Sequence, residues 1–552
     1  MTKIFSFLIV ALIHASTLLA QPFINEIRQF RKADSLQPPP SKPILLIGSS
    51  SFTNWKDVQT YFPAHTILNR GFGGSSLPHM ILYAEDIIFK YNPQQIVIYC
   101  GENDLTGGPQ INADSILNRF TRLFTLIRSR LPKVPVVYIS MKPSPSRRMY
   151  LPIMQEGNRR IQAFLSKQKR TGFVDVYSAM LRPDGSIMSD IFLSDSLHMN
   201  KKGYQLWQPL IAPKLLKPTH AYFPARHPLV NIVGRSQSVD DKSVKVWASG
   251  AYMTIRFRGT ECFMDLEDEQ RWGKNQQYLS IVVDGGVPRR IKLSGKRMRL
   301  ALATGLAPGE HQLTVCKDTE GGIGSLQING VVCEKLLPAR MPQRRIEFIG
   351  NSITCGTGSD LSVVPCKQGE WYDQHNAWMA YGPVTARSLQ AQWHLTSESG
   401  IGLMRSCCNK KILMPQVFDK IDVHHDSLSW DFTRYQPDLV TICLGQNDGL
   451  QNETIFVDNY VAFLQTVRKA YPNATLLLLN SPMASPELSA FIWKSLQLIQ
   501  TKMKQQGDQR VFTYQFEKRY TGGCDSHPTL AEHQLMAASL TREISQLMGW
   551  KY

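Results

Sequence analysis

This sequence lacks the features that mark membrane, metal-binding and nucleic-acid-binding proteins. After the apolar residues 4–13, no stretch approaches the ~20 apolar residues that a membrane-spanning helix needs. None of the 10 cysteines has the paired Cys-x-x-Cys spacing of a metal site. The net charge is +18, but no nucleic-acid-binding module is recognisable. We therefore predict no stable membrane insertion, no metal, no cofactor and no nucleic-acid partner.

The first 20 residues have the pattern of a cleavable signal peptide. Lys3 precedes the apolar residues 4–13, and small residues lead to Ala20 and Gln21. We expect residues 1–20 to be removed and the protein to be secreted or periplasmic. The alternative interpretation is a buried N-terminal helix.

Hydrophobic patterns divide the remaining chain into three parts. Short apolar runs alternate with helical stretches in residues 21–218 and again in 341–552, which is typical of a parallel sheet covered by helices. Residues 219–340 instead show period-two strands and few helical signals. The sequence thus predicts an α/β protein with two α/β modules separated by an antiparallel β-sandwich.

The two α/β modules carry the same four short blocks in the same order. Each set has a serine after the first apolar strand, a glycine turn, a Gly-x-Asn-Asp block and a late histidine. The blocks are Gly48-Ser49-Ser50-Ser51, residues 69–74, Gly101-Glu102-Asn103-Asp104 and Asp195-Ser196-Leu197-His198, then Gly350-Asn351-Ser352-Ile353, Gly400-Ile401-Gly402, Gly445-Gln446-Asn447-Asp448 and Asp525-Ser526-His527. A repeat this far along the chain indicates a domain duplication, since solenoid periods are about 20 to 50 residues.

These residue types are the ones that acyl transfer by a serine requires. A hydroxyl is a weak nucleophile and needs a base to take its proton. We assign Ser50 and His198 to these roles in the first module, and Ser352 and His527 in the second. The alternative nucleophiles in the first module are Ser49 and Ser51.

The negative charge of a tetrahedral intermediate needs converging N–H donors. We assign the oxyanion hole to Gly74 and Asn103 in the first module, and to Gly402 and Asn447 in the second, with the backbone N–H of each nucleophile. Gly400 stays open as the alternative to Gly402. The aspartates that follow the asparagines are interpreted as loop braces rather than bases: Asp104 and Asp448.

The four blocks resemble those of the SGNH or GDSL hydrolase family. The resemblance covers both α/β modules and implies a three-layer α/β/α, flavodoxin-like fold for each. It also implies that Asp195 orients His198. The first block of each module departs from the family's usual Gly-Asp-Ser. Ser49 in the first module and Asn351 in the second occupy the position of the family's aspartate.

Residues 221–552 resemble carbohydrate esterase family two more closely, through the sandwich followed by Gly-Asn-Ser-Ile-Thr-Cys-Gly, Ser-Gly-Ile-Gly and Cys-Asp-Ser-His-Pro. Members of that family remove acetyl groups from xylan and related sugars, often with a main-chain carbonyl in place of the acid. Asp525 lies only two residues before His527, which leaves its carboxylate little room to reach the ring. The resemblance implies a nearby carbonyl instead, with that of Ser526 as the first candidate.

The function we predict is that of an exported carbohydrate O-acetyl esterase with two active sites, acting on an acetylated carbohydrate. Two alternatives stay open: a lipid esterase or thioesterase on the same fold, and a carbohydrate-binding protein with one inactive module.

Some side chains have two open interpretations. Trp371 and Trp378 either stack on a sugar or belong to the core, and Cys355 and Cys366 are either a disulfide or buried thiols. For His424, His425 and Asp426, a solvated loop is favoured over a metal site.

Overall fold

The computed structural model describes residues 21–36, 39–40, 42–425 and 427–551, so the predicted signal peptide at residues 1–20 lies outside the described residues. The chain forms two compact units, and the division falls between Pro218 and Thr219. Two parallel sheets, with antiparallel strands between them in sequence, confirm the predicted fold class. Within the described ranges, no helix is long and apolar enough to cross a membrane.

The first unit is built on a parallel sheet in the order β2-β1-β3-β4-β5. Its strands are β1 (Ile44–Gly48), β2 (Ile67–Asn69), β3 (Gln95–Tyr99), β4 (Val136–Ile139) and β5 (Thr171–Val174). Strands β1 and β3 are buried along their whole length, as expected of parallel strands whose two faces are covered by helices.

Helices of the first unit connect these strands. They are α1 (Ile24–Leu36), α2 (Ser50–Thr53), α3 (Val58–Tyr61), α4 (Leu77–Leu82), α5 (Ala84–Ile87), α6 (Ala113–Arg130), α7 (Leu151–Leu165), α8 (Val176–Ala179) and α9 (Lys201–Ile211). Helix α6 begins where the Asn112 side chain accepts a hydrogen bond from the Ser115 N–H. Its buried stripe includes Ile116, Phe120 and Ile127, at the spacing that places side chains on one helix face.

The second unit begins with the sandwich. Its strands are β6 (Ala221–Pro224), β7 (Asn231–Val233), β8 (Ser236–Ser238), β9 (Val244–Val246), β10 (Tyr252–Asp268), β11 (Tyr278–Val283), β12 (Arg289–Lys292), β13 (Arg297–Ala303), β14 (Glu310–Lys317) and β15 (Leu326–Leu337). The long strand β10 pairs with β14 in its first part and with β13 in its second. The change of partner lies near Gly259, whose φ of 131° suits glycine.

The second α/β module repeats the first sheet's arrangement, in the order β17-β16-β18-β19-β20. Its strands are β16 (Arg344–Gly350), β17 (Ala391–Ser397), β18 (Leu439–Ile442), β19 (Thr475–Leu479) and β20 (Val511–Tyr514). Its helices are α10 (Ser352–Cys355), α11 (Tyr381–Ser388), α12 (Met414–Val417), α13 (Glu453–Ala470), α14 (Pro486–Gln505) and α15 (Leu530–Met548).

The sandwich and the second α/β module pack against each other within the second unit. The rings of Tyr252 and Trp393 stack with centroids 3.9 Å apart. Arg235 of the sandwich pairs with Glu347 of β16 at 2.9 Å, and both side chains are buried. These contacts explain why the two parts form one compact unit.

Both nucleophile candidates lie at the same place in their sheets. Ser50 is the first residue of α2 and Ser352 the first residue of α10, and a single residue separates each of them from the end of the preceding strand, β1 or β16. Ligands of open parallel sheets bind beyond the carboxyl ends of the strands, where the strand order reverses. Each serine therefore stands at the edge where a substrate is expected.

Candidate active sites

Ser352 and His527 form a hydrogen-bonded pair at the carboxyl edge of the second parallel sheet. Ser352 Oγ lies 2.8 Å from His527 Nε2. Burial lowers the pKa of His527 below its ordinary value, while the Cys524 carbonyl and Asp525 act in the opposite direction. The imidazole is therefore neutral at neutral pH, which is the form that takes a proton from a serine hydroxyl.

The other ring nitrogen of His527 is held by the main chain. Nδ1 lies 2.9 Å from the carbonyl oxygen of Cys524, three residues earlier. The same carbonyl accepts the His527 N–H at 3.0 Å, which closes a four-residue turn. A proton on Nδ1 donates to this carbonyl and leaves the Nε2 lone pair for the Ser352 hydroxyl.

The orienting carbonyl is that of Cys524, not that of Ser526. The Ser526 carbonyl belongs to the peptide bond that leads into His527 and cannot turn back onto the ring. The four-residue turn instead points the carbonyl of the residue three positions earlier at the histidine. Asp525 and Ser526 adopt left-handed φ values of 50° and 60° to make this turn. The Asp525 side chain is exposed to solvent.

A disulfide anchors the segment that carries this carbonyl. Cys524 is bonded to Cys366, and its N–H donates to the Gly358 carbonyl at 2.9 Å. Cys355 is a buried free thiol whose Sγ lies 3.2 Å from Ser397 Oγ. The structure therefore resolves the open choice for these cysteines: Cys366 is bridged, and its partner is Cys524 rather than Cys355.

In the first module a carboxylate holds the histidine. Asp195 Oδ2 lies 2.6 Å from His198 Nδ1. Asp195 Oδ1 accepts the N–H groups of Leu197 and His198, each at 2.9 Å. The hydrogen bonds from the backbone and ring of His198 and the backbone of Leu197 lower the pKa of Asp195 to about 2. Its carboxylate is thus charged at neutral pH and orients the ring.

The first nucleophile turn exposes Ser50 more than its neighbours. Ser49 and Ser51 are each only 2% exposed, whereas Ser50 is half-buried. Only Ser50 of the three is thus open to a substrate. Among the contacts of the described residues, no hydrogen bond joins Ser50 to His198, so the serine–histidine contact is formed in the second site and not in the first.

The asparagine of each site is anchored to the glycine turn. Asn103 Nδ2 donates to the Ser75 carbonyl at 3.0 Å, and Asn447 Nδ2 donates to the Ile401 carbonyl at 2.8 Å. An amide nitrogen carries two N–H bonds, so one remains on each asparagine for a ligand oxygen.

This correspondence pairs Ile401 with Ser75, and therefore Gly400 with Gly74. The two glycines have nearly equal φ values, 77° and 78°. The N–H of Gly402 donates to Ser406 Oγ at 3.1 Å and is already used. The geometry therefore favours Gly400, the alternative left open by the sequence, over Gly402 as the oxyanion glycine.

Asp104 and Asp448 brace the glycine turns. Asp104 Oδ2 accepts the Leu77 N–H at 3.0 Å, and Asp448 Oδ2 accepts the equivalent Leu403 N–H at 3.1 Å. Asp448 Oδ1 also accepts two further backbone N–H groups of the same loop. These contacts give both aspartates a structural role beside their asparagines.

Charged residues lie around Asn103 in the first site, and most of them could not be recognised from the sequence. Arg147 Nη2 donates to Asn103 Oδ1 at 3.4 Å. Lys142 and Glu102 form a buried ion pair at 2.9 Å. Glu102 lies inside a recognised block, but its partners come from distant parts of the chain and are visible only in three dimensions.

The open interpretations of Trp371 and Trp378 separate in the structure. Trp371 is 53% exposed and contacts His375 edge-on at 4.5 Å. Trp378 is only 7% exposed and is covered by the Arg387 guanidinium, 3.8 Å from its ring. Trp371 is the one with a face available for a sugar ring.

His424 forms a hydrogen bond with a glutamate rather than part of a cluster of metal ligands. Its Nδ1 lies 2.7 Å from Glu398 Oε1. Across the described part of the chain, no group of three or more His, Cys, Asp or Glu side chains is arranged to hold a metal ion. Asp426, the third residue of that sequence cluster, lies outside the described residues.

Comparison with known families agrees with this geometry. The model of the GDSL-like lipase/acylhydrolase family matches residues 47–206 and 348–518, more than half of the chain. The chain belongs to this family. The model of the carbohydrate esterase 2 N-terminal domain matches residues 232–340, in the sandwich. Both resemblances inferred from the sequence blocks are confirmed, and the chain is a carboxylic-ester hydrolase.

Several characterised proteins are similar to part of this chain. The cellulase/esterase CelE of Acetivibrio thermocellus is 32% identical over 333 residues, which cover 57% of this chain and 39% of that protein. An acetylxylan esterase / glucomannan deacetylase of Cellvibrio japonicus is 28% identical over 346 residues, which cover 61% of this chain and 93% of that protein. The chain thus spans well under half the length of the first relative and most of the second.

Solved structures show the same similarity. The family two carbohydrate esterase from Clostridium thermocellum, in complex with cellohexaose, is 29% identical with a TM-score of 0.54, and the match covers 58% of this chain and 100% of that one. The family two carbohydrate esterase from Cellvibrio japonicus is 26% identical with a TM-score of 0.55, covering 60% and 98% of the two chains.

Proposed function

We propose that this protein is an exported carbohydrate O-acetyl esterase with two serine-hydrolase sites, acting on a plant polysaccharide or oligosaccharide such as acetylated xylan. The hydrogen-bonded series Ser352, His527 and Cys524 carbonyl carries the proposal, because it presents a neutral base to a serine at a sheet edge. The relatives described as acetylxylan esterases support the substrate class. The signal-peptide pattern of residues 1–20 supports export.

The second site supplies each group that deacetylation needs. Ser352 Oγ attacks the acetyl carbonyl carbon while His527 Nε2 takes the serine proton. The N–H groups of Gly400, Asn447 and Ser352 stabilise the oxyanion. His527 then gives the proton to the departing sugar oxygen, which leaves as a hydroxyl.

Water completes the cycle. His527 takes a proton from a water molecule, whose oxygen attacks the acetyl-enzyme carbonyl. The proton passes back to Ser352 Oγ as acetate leaves. The Cys524 carbonyl stabilises the imidazolium in both steps by accepting the Nδ1–H hydrogen bond.

The first module supports a second, independent site. It has its own nucleophile, Ser50, and a histidine held by the charged carboxylate of Asp195. We expect the contact between Ser50 and His198 to form on substrate binding, since catalytic hydrogen bonds commonly tighten only in the substrate complex.

The substrate class is tested by measuring acetate release from acetylated xylan, mannan and pectin, and from synthetic esters of increasing acyl length. The parent chain is compared with Ser50→Ala and Ser352→Ala. We expect acetate release from at least one polysaccharide and little activity on long acyl chains. A decanoyl ester hydrolysed faster than an acetyl ester would instead identify a lipid esterase.

A further inference from the structure

A buried glutamate of the sandwich, Glu320, reaches into the second active site. It lies in the loop that follows β14 and is 1% exposed. Its Oε2 accepts the Ser399 N–H at 2.6 Å, and its Oε1 accepts the Ser399 hydroxyl at 2.6 Å. Both carboxylate oxygens therefore hold a single residue of the neighbouring module.

Ser399 directly precedes Gly400, the glycine assigned to the oxyanion hole. The Ser399 N–H and hydroxyl lie on either side of the Ser399 Cα, so these two hydrogen bonds hold the Cα from which the peptide carrying the Gly400 N–H starts, and so restrict the direction of that N–H. An oxyanion donor acts only if its N–H already points at the position where the negative charge develops. The glutamate thus controls the orientation of a donor that it does not itself form.

Glu320 also contacts the nucleophile turn. Thr357 Oγ1 lies 3.4 Å from Glu320 Oε1 and 2.8 Å from Ser399 Oγ. The Thr357 N–H in turn donates to the Ser352 carbonyl at 3.1 Å. The carboxylate therefore joins the loop that carries the nucleophile to the loop that carries the oxyanion glycine.

The neighbouring residue Glu398 fixes the other end of the same loop. Its Oε1 accepts hydrogen bonds from Lys410 Nζ at 2.9 Å and from His424 Nδ1 at 2.7 Å. Burial, and then the charge of Glu398, raise the pKa of Glu320 to about 7. Because its surroundings disfavour the charged form, an uncharged acceptor of the same shape is compatible with the place of Glu320.

We infer that Glu320 is a positioning residue for the second active site, through which the sandwich sets the oxyanion hole of the esterase. The inference rests on the ester hydrolysis proposed at Ser352. It gives the sandwich a part in positioning the catalytic groups, besides any part in binding a carbohydrate.

The test uses the full chain with Ser50→Ala, so that only the second site reacts. Two rates are measured: hydrolysis of p-nitrophenyl acetate, as separate kcat and KM, and reaction of Ser352 with a fluorophosphonate. In the second reaction a bond forms between Ser352 Oγ and phosphorus, fluoride leaves, and His527 takes the serine proton. That reaction does not depend on the identity of the natural substrate.

We expect Glu320→Ala to lower kcat and the fluorophosphonate rate by about 100-fold, which is the scale of losing one oxyanion donor, with KM within about threefold of the parent. Glu320→Gln should stay within about fivefold, because its carbonyl accepts the Ser399 N–H and its amide donates to the reoriented hydroxyl. The matched control is Asp268→Ala, since Asp268 is equally buried but binds the N–H groups of Gln270 and Gln277 inside the sandwich. It should keep both rates within about threefold.

Folding is followed by circular dichroism for each variant. If Glu320→Ala does not fold, the Glu320→Asp variant is measured in its place. Its shorter carboxylate keeps the charge but does not reach Ser399, so we expect a similar loss of kcat and of the fluorophosphonate rate. Unchanged rates in the folded Ala or Asp variant, or an equal loss in Asp268→Ala, would overturn the inference. Absence of acetate release from every polysaccharide, with the fluorophosphonate loss intact, would contradict the proposed substrate and leave the role of Glu320 standing.

Discussion

The two α/β modules orient their histidines from the same chain position with different chemical groups. The residue three positions before the histidine is Asp195 in the first module and Cys524 in the second. Asp195 uses its side chain, whereas Cys524 uses its carbonyl. Both modules hold a hydrogen-bond acceptor at that position. The acceptor is a charged carboxylate in the first module and a neutral carbonyl in the second.

The modules also differ in what supports the glycine turn. In the first, the Ser75 hydroxyl donates to carbonyls of its own module, Phe72 at 2.7 Å and Gly48 at 3.1 Å. In the second, Ser399 is held by Glu320 of the sandwich. These hydrogen bonds hold the glycine turn of the first module from within that module, and that of the second module from the sandwich.

The largest effect that separates the modules is removal of each nucleophile. Ser352→Ala should lower turnover at the second site by on the order of 10⁶-fold and leave the first site's activity intact, and Ser50→Ala should do the reverse. Acetyl ester hydrolysis by the two single variants and the double variant measures this. If either single variant abolished all ester hydrolysis, the two sites would not be independent.

Loss of the disulfide should affect only the second module. Cys366→Ser frees the segment that carries the Cys524 carbonyl, and we expect about a tenfold lower kcat with Ser50→Ala present. The second unit should also lose about 2–4 kcal/mol in its free energy of unfolding. The matched control is Cys366→Ser combined with Ser352→Ala. Its first-site activity should equal that of the Ser352→Ala chain that keeps Cys366. Equal losses at both sites would contradict this dependence.

A smaller effect concerns pH. Because burial lowers the pKa of His527, the base stays neutral below the ordinary histidine value of about 6.5. The acid limb of kcat/KM for the Ser50→Ala chain should therefore lie below pH 6.5, with activity lost only as the pH falls through the lowered pKa. A limb above pH 6.5 would show that His527 is not held as a buried neutral base.

The sequence predicted the fold class and the residues of the blocks because both depend on local pattern and order. Ser352 and His527 meet although 175 residues separate them. The sequence alone did not select Gly400 over Gly402, because that choice depends on which backbone N–H donates to the Ser406 hydroxyl. Nor did it identify Glu320, whose role is visible only once the sandwich packs on the second module.

The sequence pointed to the carbonyl of Ser526 instead of that of Cys524 for a related reason. The Asp-Ser pair occurs in both final blocks, but it is shifted by one position relative to the histidine, so alignment by residue type pairs Asp195 with Asp525. Alignment by distance from the histidine pairs Asp195 with Cys524. The turn geometry, which sequence alone does not give, shows which alignment carries the hydrogen bond.

The central claim is that a carboxylate orients one histidine and a main-chain carbonyl the other. The direct test is to make Asp195→Asn in the Ser352→Ala chain and Asp525→Asn in the Ser50→Ala chain, and to measure turnover of a small acetyl ester by each. Asp195→Asn should lower kcat by roughly 10⁴-fold, as a wrong histidine tautomer does in serine proteases. Asp525→Asn should cost less than about tenfold, or ~1.4 kcal/mol in barrier. Equal, large losses at both positions would show that Asp525 orients His527 and would contradict the account.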